Sequence, residues 1–178
     1  PITLSELARA AAQPHVELAK SLNEAKRANL RTVFLSHSHK DATYAAGVAA
    51  LLLEAGFEAY IDWQDTSMPE TPNHQTASAI KLRIQRADLF MFLATPSSTV
   101  SRWCPWEIGY ADGVKDIEDM IVVQTTDSNG RHYGNEYLSP IVVWTCRLTV
   151  AWQLAERRQA ERRLGEIAMM VGEDRCLA

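Results

Sequence analysis

The stretch FLSHSHKDA, residues 34–42, decides how the rest of the chain is read. His37, His39 and Asp41 stand at alternate positions, which is the spacing of a binuclear metal-hydrolase motif. The same letters fit a β-strand running into a capped helix. Ser36, Ser38 and Asp41 are residue types that bond free backbone amides at such a turn. The metal reading needs a histidine at the sixth position, where this chain has Ala42, and further histidines to complete two coordination shells. The others are His15, His74 and His132, the last two in predicted loops. Ligand count therefore favours strand, turn and helix with no metal site, a reading that explains the serines and the aspartate but not His37.

Working outward, VFLS (33–36) is a short β-prone run of the kind buried on both faces of a parallel sheet. DATYAAGVAALLLEAG (41–56) spaces its apolar residues as a helix does, opens near Asp41 as a cap and stops at Gly56. FEAYID (57–62) is a second strand, so strand, helix and strand fit one βαβ unit of roughly 30 residues. The alternation continues through a polar loop with two prolines, WQDTSMPETPNHQ, and a helix, TASAIKLRIQRA, to a strand, DLFMFLAT. After PSSTVSR, the segment WCPWEIGYADGVK is helical, with Pro105 tolerated in a first turn where its missing donor is not needed. MIVVQTT is a fourth strand, DSNGRHYGNEYLSP a long loop and IVVWT a fifth strand. This order predicts an α/β fold built on an open parallel sheet, with ligands beyond the carboxyl ends of the strands. The loops at 36–41, 62–74, 95–103 and 126–138 are the ones that face that region.

Residues 3–29 carry apolar residues at helical spacing around Pro14, which predicts two short helices or one kinked helix; the last 30 residues predict another. The expected organisation is an N-terminal helical extension (1–30), an α/β domain (31–146) and a C-terminal helix (147–178). The 178 residues are 47% hydrophobic and 22% charged, with a net charge of −4 that offers nucleic acid no general attraction. The basic run RRQAERR is interleaved with Glu156, Glu161 and Glu166, as on a solvated helix face. No run approaches the roughly 18 apolar residues of a membrane span, and the start lacks a secretory pattern, so the expected location is cytoplasmic, off the membrane. Cys104, Cys146 and Cys176 are odd in number and lack CxxC spacing, so free thiols are expected.

The ordered set RTVFLSHSHKD, LLLEAGFEAYID, a proline-containing loop, a helix with Ile80 and Ile84, DLFMFLAT and SRWCPWEIGYA closely resembles Toll/interleukin receptor (TIR) domains, particularly the bacterial kind. The likeness runs over roughly residues 31–145. FLSHSxxD opens the first strand of this set, and WxxxE, Trp103 to Glu107, opens the helix after the third. The resemblance implies a flavodoxin-like fold of five parallel strands with helices on both faces, the second strand at one edge beside the first. It implies two activities. One is cleavage of the nicotinamide glycosidic bond of NAD, as a substrate and with no further cofactor, to ADP-ribose or a cyclic isomer that signals to an effector protein in antiphage defence. The other is a non-catalytic scaffold that docks with other TIR domains. Self-association through TIR surfaces is expected in either case. A nucleoside glycosyl-transferring enzyme of similar fold is a third reading, and it would ignore NAD.

The first reading turns on Glu107. Cleavage between nicotinamide and ribose passes through an oxocarbenium-like transition state, and nicotinamide leaves neutral from a cation, so no general acid is required. A negative charge against the ribose, with hydrogen bonds to its hydroxyls that tighten at the transition state, is what helps. A glutamate in the first turn of a helix, near the carboxyl end of the third strand, can supply both, and the helix dipole favours its ionised form. Trp103, four residues earlier, could offer a flat surface to a base or to nicotinamide, although a packed Trp and a helix-start Glu are ordinary features too. Ser36, His37 and Ser38 end the first strand, beside the third, where amides and hydroxyls can hold phosphate or ribose oxygens. Trp63 is the large apolar residue of the proline-containing loop, at the core edge or in contact with substrate or partner.

Overall fold

The computed structural model of the chain describes residues 1–12, 30–61, 74–134 and 142–144, the last of these as backbone. The expected helices within 13–29 and 147–178, and the proline-containing loop at 62–73 with Trp63, lie outside the described residues.

Five parallel strands form the frame: β2 (Arg31–Ser36), β3 (Phe57–Tyr60), β4 (Leu89–Ala94), β5 (Met120–Thr126) and β7 (Val142–Trp144). Across the sheet they run β3, β2, β4, β5, β7. In chain order this is 2-1-3-4-5, the flavodoxin-like order expected, with the second strand at the edge beside the first. The chain leaves β2 in one direction for β3 and later crosses to its other side for β4. The switch point therefore lies between β2 and β4, and sheets of this order bind ligands beyond the carboxyl ends of those strands, here Ser36 and Ala94.

Strand alternation sorts the core into two halves. Val33 and Leu35, Leu89, Met91 and Leu93, and Ile121 and Val123 face α1 (Leu4–Ala11) and α2 (Ala42–Glu54). Phe34, Phe90, Phe92 and Val122 face α3 (His74–Arg86) and α5 (Cys104–Asp112). Both faces are covered, which is why these strands read as unbroken apolar runs in the sequence. α2 ends as expected: Gly56 takes φ 79°, and its N–H donates to Leu53 at 2.9 Å.

Two features depart from the sequence reading. Ile2 and Thr3 form a two-residue strand, β1, parallel to β5 at Thr125–Thr126, and Thr3 then caps α1 through a capping box with Glu6. Leu7 of α1 is fully buried against the domain core. The expected long loop after β5 contains β6 (His132–Tyr133), antiparallel to Thr125–Thr126. Its turn is tied by Asp127, whose carboxylate accepts from the amides of Asn129 and Arg131 at 2.9 Å and from the Tyr133 hydroxyl at 2.8 Å. These bonds hold the carboxyl of Asp127 below, and the phenol of Tyr133 above, their ordinary values. Strands of two residues are too short to carry a period.

Candidate active site

β2 delivers Ser36 to the carboxyl edge of the sheet because its residues pair in register with β4 to the last position, Ser36 with Phe92. From the other side, α4 (Pro96–Thr99) and the turn after it lead into α5. The Ser101 hydroxyl accepts from the amides of Trp103 at 3.2 Å and Cys104 at 3.4 Å, Pro105 follows inside the first turn, and the Glu107 amide bonds the Trp103 carbonyl at 2.9 Å. That geometry aims the Glu107 side chain back at β2. The Ser36 hydroxyl donates to Glu107 Oε2 at 2.5 Å, across 71 residues of sequence. Both groups are buried, Glu107 with 4% of its surface exposed and Ser36 with 1%.

The thiol of Cys104 lies in the same setting. Burial pushes its pKa up to about 11; a hydrogen bond with Ser101 works against that shift, and the nearby Glu107 carboxylate adds to it. A thiol so protonated at neutral pH is a small apolar packing group and a poor nucleophile. Cys104 is a free cysteine, as expected.

His37 and Ser38 continue from Ser36. The His37 ring turns back on its own strand, with Nδ1–H donating to the Leu35 carbonyl at 2.9 Å. The Ser38 hydroxyl accepts from the Lys40 amide at 3.4 Å and caps the 3₁₀ turn at His39–Asp41. Asp41 departs from expectation. It occupies the N-cap position of α2, but its side chain makes no capping bond; it accepts instead from the Thr95 hydroxyl at 2.5 Å. The 3₁₀ turn supplies the physical reason, since it sets Asp41 at φ −103°, ψ 22°, away from the extended backbone of a side-chain cap. The three residues of the opening motif thus separate: His37 serves β2, Asp41 serves Thr95, and the rings of His37 and His39 are 6.5 Å apart. His74 and His132, expected in loops, lie at the start of α3 and in β6. Among the described residues, no group of three or more His, Cys, Asp or Glu is placed to hold a metal ion.

Trp103 is half-buried and meets Trp106 edge-on at 5.4 Å between ring centres. Trp106 stacks on Tyr110 at 6.1 Å, and the Lys81 ammonium stands over both rings. The structure thus brings Ser36 and Glu107 into direct contact, sets His37 and Ser38 next along the chain, and seats Trp103 in an aromatic row along α5. Asp41, read as a helix cap, and Thr95 and Ser98, read only as part of the loop at 95–103, belong to the site's walls. The signal available for Thr95 was its position directly after β4, where such sheets place ligands.

A family model described as TIR domain matches residues 33–159. A protein of Bacillus cereus (strain MSX-D12), ThsB′, named as a 3′ cyclic ADP-D-ribose synthase, is 32% identical over 108 residues, 60% of this chain and 56% of that protein. A protein of Cytobacillus dafuensis, TIR2, named as a cyclic ADP-D-ribose synthase, is 26% identical over 92 residues, 50% of this chain and 24% of that protein. The chain thus spans less than two thirds of either relative. The solved structure of Clostridium botulinum CMP N-glycosidase, BcmB, is similar at a TM-score of 0.47 and 16% identity, over 71% of this chain and 99% of that one. Among the described residues no helix is long and apolar enough to cross a membrane.

Proposed function

Since the chain belongs to the TIR domain family, we propose that it cleaves the bond between nicotinamide and ribose in NAD, with Glu107 as the catalytic residue. The observation that carries this reading is the Glu107 carboxylate, buried at the switch point and held by the Ser36 hydroxyl at 2.5 Å. A carboxylate so fixed needs little reorganisation when positive charge develops beside it, which is the condition under which electrostatic stabilisation is worth most.

In the reaction, the bond from the ribose anomeric carbon to the nicotinamide nitrogen breaks. Its electron pair stays on nitrogen, which converts the pyridinium to neutral nicotinamide and leaves oxocarbenium character on the ribose. Glu107 faces that charge and accepts from a ribose hydroxyl, while Ser36 holds Oε2. Capture of the ribosyl cation by water gives ADP-ribose and a proton. Capture by a nucleophilic oxygen or nitrogen of the same molecule closes a ring, and the names of the two relatives favour this cyclic outcome. Cys104 takes no part in the bond changes. Self-association, a role in antiphage defence and an effector that reads the product belong to the same proposal.

The test is nicotinamide release, followed by chromatography, from the purified chain incubated with NAD at high protein concentration beside Glu107→Gln. Loss of one oxyanion-type stabilising group costs about 10²- to 10³-fold, so release should fall by at least that much. The accompanying nucleotide identifies linear or cyclic product. Equal release from both proteins would remove Glu107 from the chemistry. No release from either, repeated with infected-cell extract, would favour the scaffold.

A further inference from the structure

We infer that Thr95 and Asp41 form a positioning clamp that sets the distance between the loop after β2 and the helix carrying Glu107. The pair joins the two loops that flank the switch point, 54 residues apart in sequence. Asp41 is 3% exposed and Thr95 fully buried. A buried carboxylate is costly unless it is bonded, and no cap bond of α2 employs this one. Its partner is fully committed as well. The Thr95 hydroxyl donates to Asp41 Oδ2 at 2.5 Å and accepts from the Ser98 amide at 3.0 Å, while the Thr95 amide donates to the Ser98 hydroxyl at 2.8 Å.

This arrangement makes α4 an extension of the clamp. Thr95 and Ser98 bond each other as a capping box across its single turn, and Ser101, three residues on, caps the start of α5. With the Ser101 amide donating to the Ser98 carbonyl at 3.2 Å, hydrogen bonds run from Asp41 through Thr95, Ser98 and Ser101 to the turn that bears Glu107. On the other wall, Asp41 is five residues beyond Ser36, the group that holds Glu107 Oε2. Ser36 fixes one oxygen of the carboxylate; the clamp fixes the backbone from which both partners reach. Neither Thr95 nor Asp41 touches the reacting atoms, so both are positioning residues.

The inference rests on the proposed NAD cleavage for its kinetic consequence but not for its structural one, so the experiment reads both. Thr95→Val keeps shape and removes the hydroxyl; Thr95→Ser restores the hydroxyl. Misplacement of a catalytic group by about 1 Å costs on the order of 10²-fold, so Thr95→Val should lower kcat by about 10- to 100-fold with KM within about threefold, since the misaligned contact is strongest at the transition state. Thr95→Ser should recover most of that kcat, with both variants assayed well below their melting temperatures. Amide hydrogen exchange gives a readout without activity: the segment Ser101–Glu107 and the turn 37–41 should exchange faster in Thr95→Val and at the wild-type rate in Thr95→Ser. A wild-type chain without NAD cleavage but with this exchange pattern would overturn the functional proposal and leave the clamp standing. Thr95→Val that exchanges as the wild type does in both segments would overturn the clamp, whatever the activity.

Discussion

The two faces of the sheet are built from the same strands, one residue apart, and they differ in chemistry. The face under α1 and α2 is aliphatic: Val33, Leu35, Leu89, Leu93 and Val123 pack against Leu7, Val48 and Leu52. The face under α3 and α5 is aromatic and carries polar groups. Phe34 stacks between Tyr60 and Phe90 at 5.8 and 5.9 Å, and Cys104 and Glu107 are buried at its carboxyl end. The first face is packed almost wholly by apolar side chains, with the buried Thr125 hydroxyl donating to the Ala94 carbonyl at 2.6 Å, while the second must satisfy the buried Glu107 carboxylate and does so with Ser36. The contrast suggests a division of labour in which one face sets stability and the other positions chemistry, and substitutions can test how cleanly the two separate.

The largest expected effect is on the aliphatic side. Leu7 is fully buried, and Leu7→Ala should cost about 2–5 kcal/mol of unfolding free energy in urea titration, the range for buried leucine truncation. Activity per folded molecule should stay within about twofold, the reverse of the pattern expected for Glu107→Gln. A loss of kcat as large as that of Glu107→Gln would show that the faces are coupled. Gly47→Ala comes next. A Cβ there would stand 2.1 Å from the Leu7 carbonyl oxygen, a backbone atom that cannot rotate away, so α1 or α2 must shift. Overpacking of this kind costs about 1–3 kcal/mol, and thermal melts should fall accordingly. Stabilisation by the roughly 1 kcal/mol of helix propensity that favours Ala over Gly would mean that α1 does not dock on α2 as closely as described.

The two faces also differed in how far the sequence revealed them. The five strands and the helices α2, α3 and α5 were legible because doubly buried strands read as apolar runs, α3 carried helical spacing, and α2 and α5 carried the end signals Gly56 and Pro105; the strand order came through the resemblance to TIR domains. Glu107 and Ser36 were identified through the WxxxE and FLSHSxxD segments, but their direct bond was not, since pairing across 71 residues leaves no local trace. Asp41 was read as a helix cap because residue type suits that role, and the 3₁₀ turn that redirects it has no pattern of its own. Thr95 was read as the last residue of the strand DLFMFLAT, next to a Ser-rich turn where any hydroxyl is a plausible local capper.

Cys104 gives the comparison a pH axis. A thiol raised to about 11 holds its proton more tightly in the folded chain than in the unfolded one, where 9.0 is the reference. Its contribution to stability is therefore fully present below pH 9 and is lost as pH rises through about 11. The wild type should lose stability over that window faster than Cys104→Ala, which removes the titrating group while leaving the lysines and tyrosines. At pH 8 the native thiol should react with an alkylating reagent far more slowly than the denatured one, since the thiolate fraction differs roughly ninetyfold between pKa values of about 11 and 9.0. Equal reactivity would mean that this end of the aromatic face is open to water.

The smallest effect belongs to the outer rim of the same face. Lys81 is exposed on α3, with its ammonium 5.8 Å from the Trp106 ring centre and 5.3 Å from that of Tyr110 on α5. Exposed cation–π contacts are worth about 0.5–1 kcal/mol, and Lys81→Met keeps most of the aliphatic stem while deleting the charge. Unfolding free energy should therefore fall by about that amount and remain nearly insensitive to the change in a Trp106→Ala, Tyr110→Ala background, where the cation has lost both rings. A full additive loss in that background would assign the effect of Lys81 to its packing or to other charges. Because this contact ties α3 to the helix that carries Glu107, nicotinamide release separates two roles for it. Unchanged kcat would make the aromatic row a brace for stability alone, and a fall in kcat without a change in KM would extend the positioning function of the polar face from the cleft to the rim.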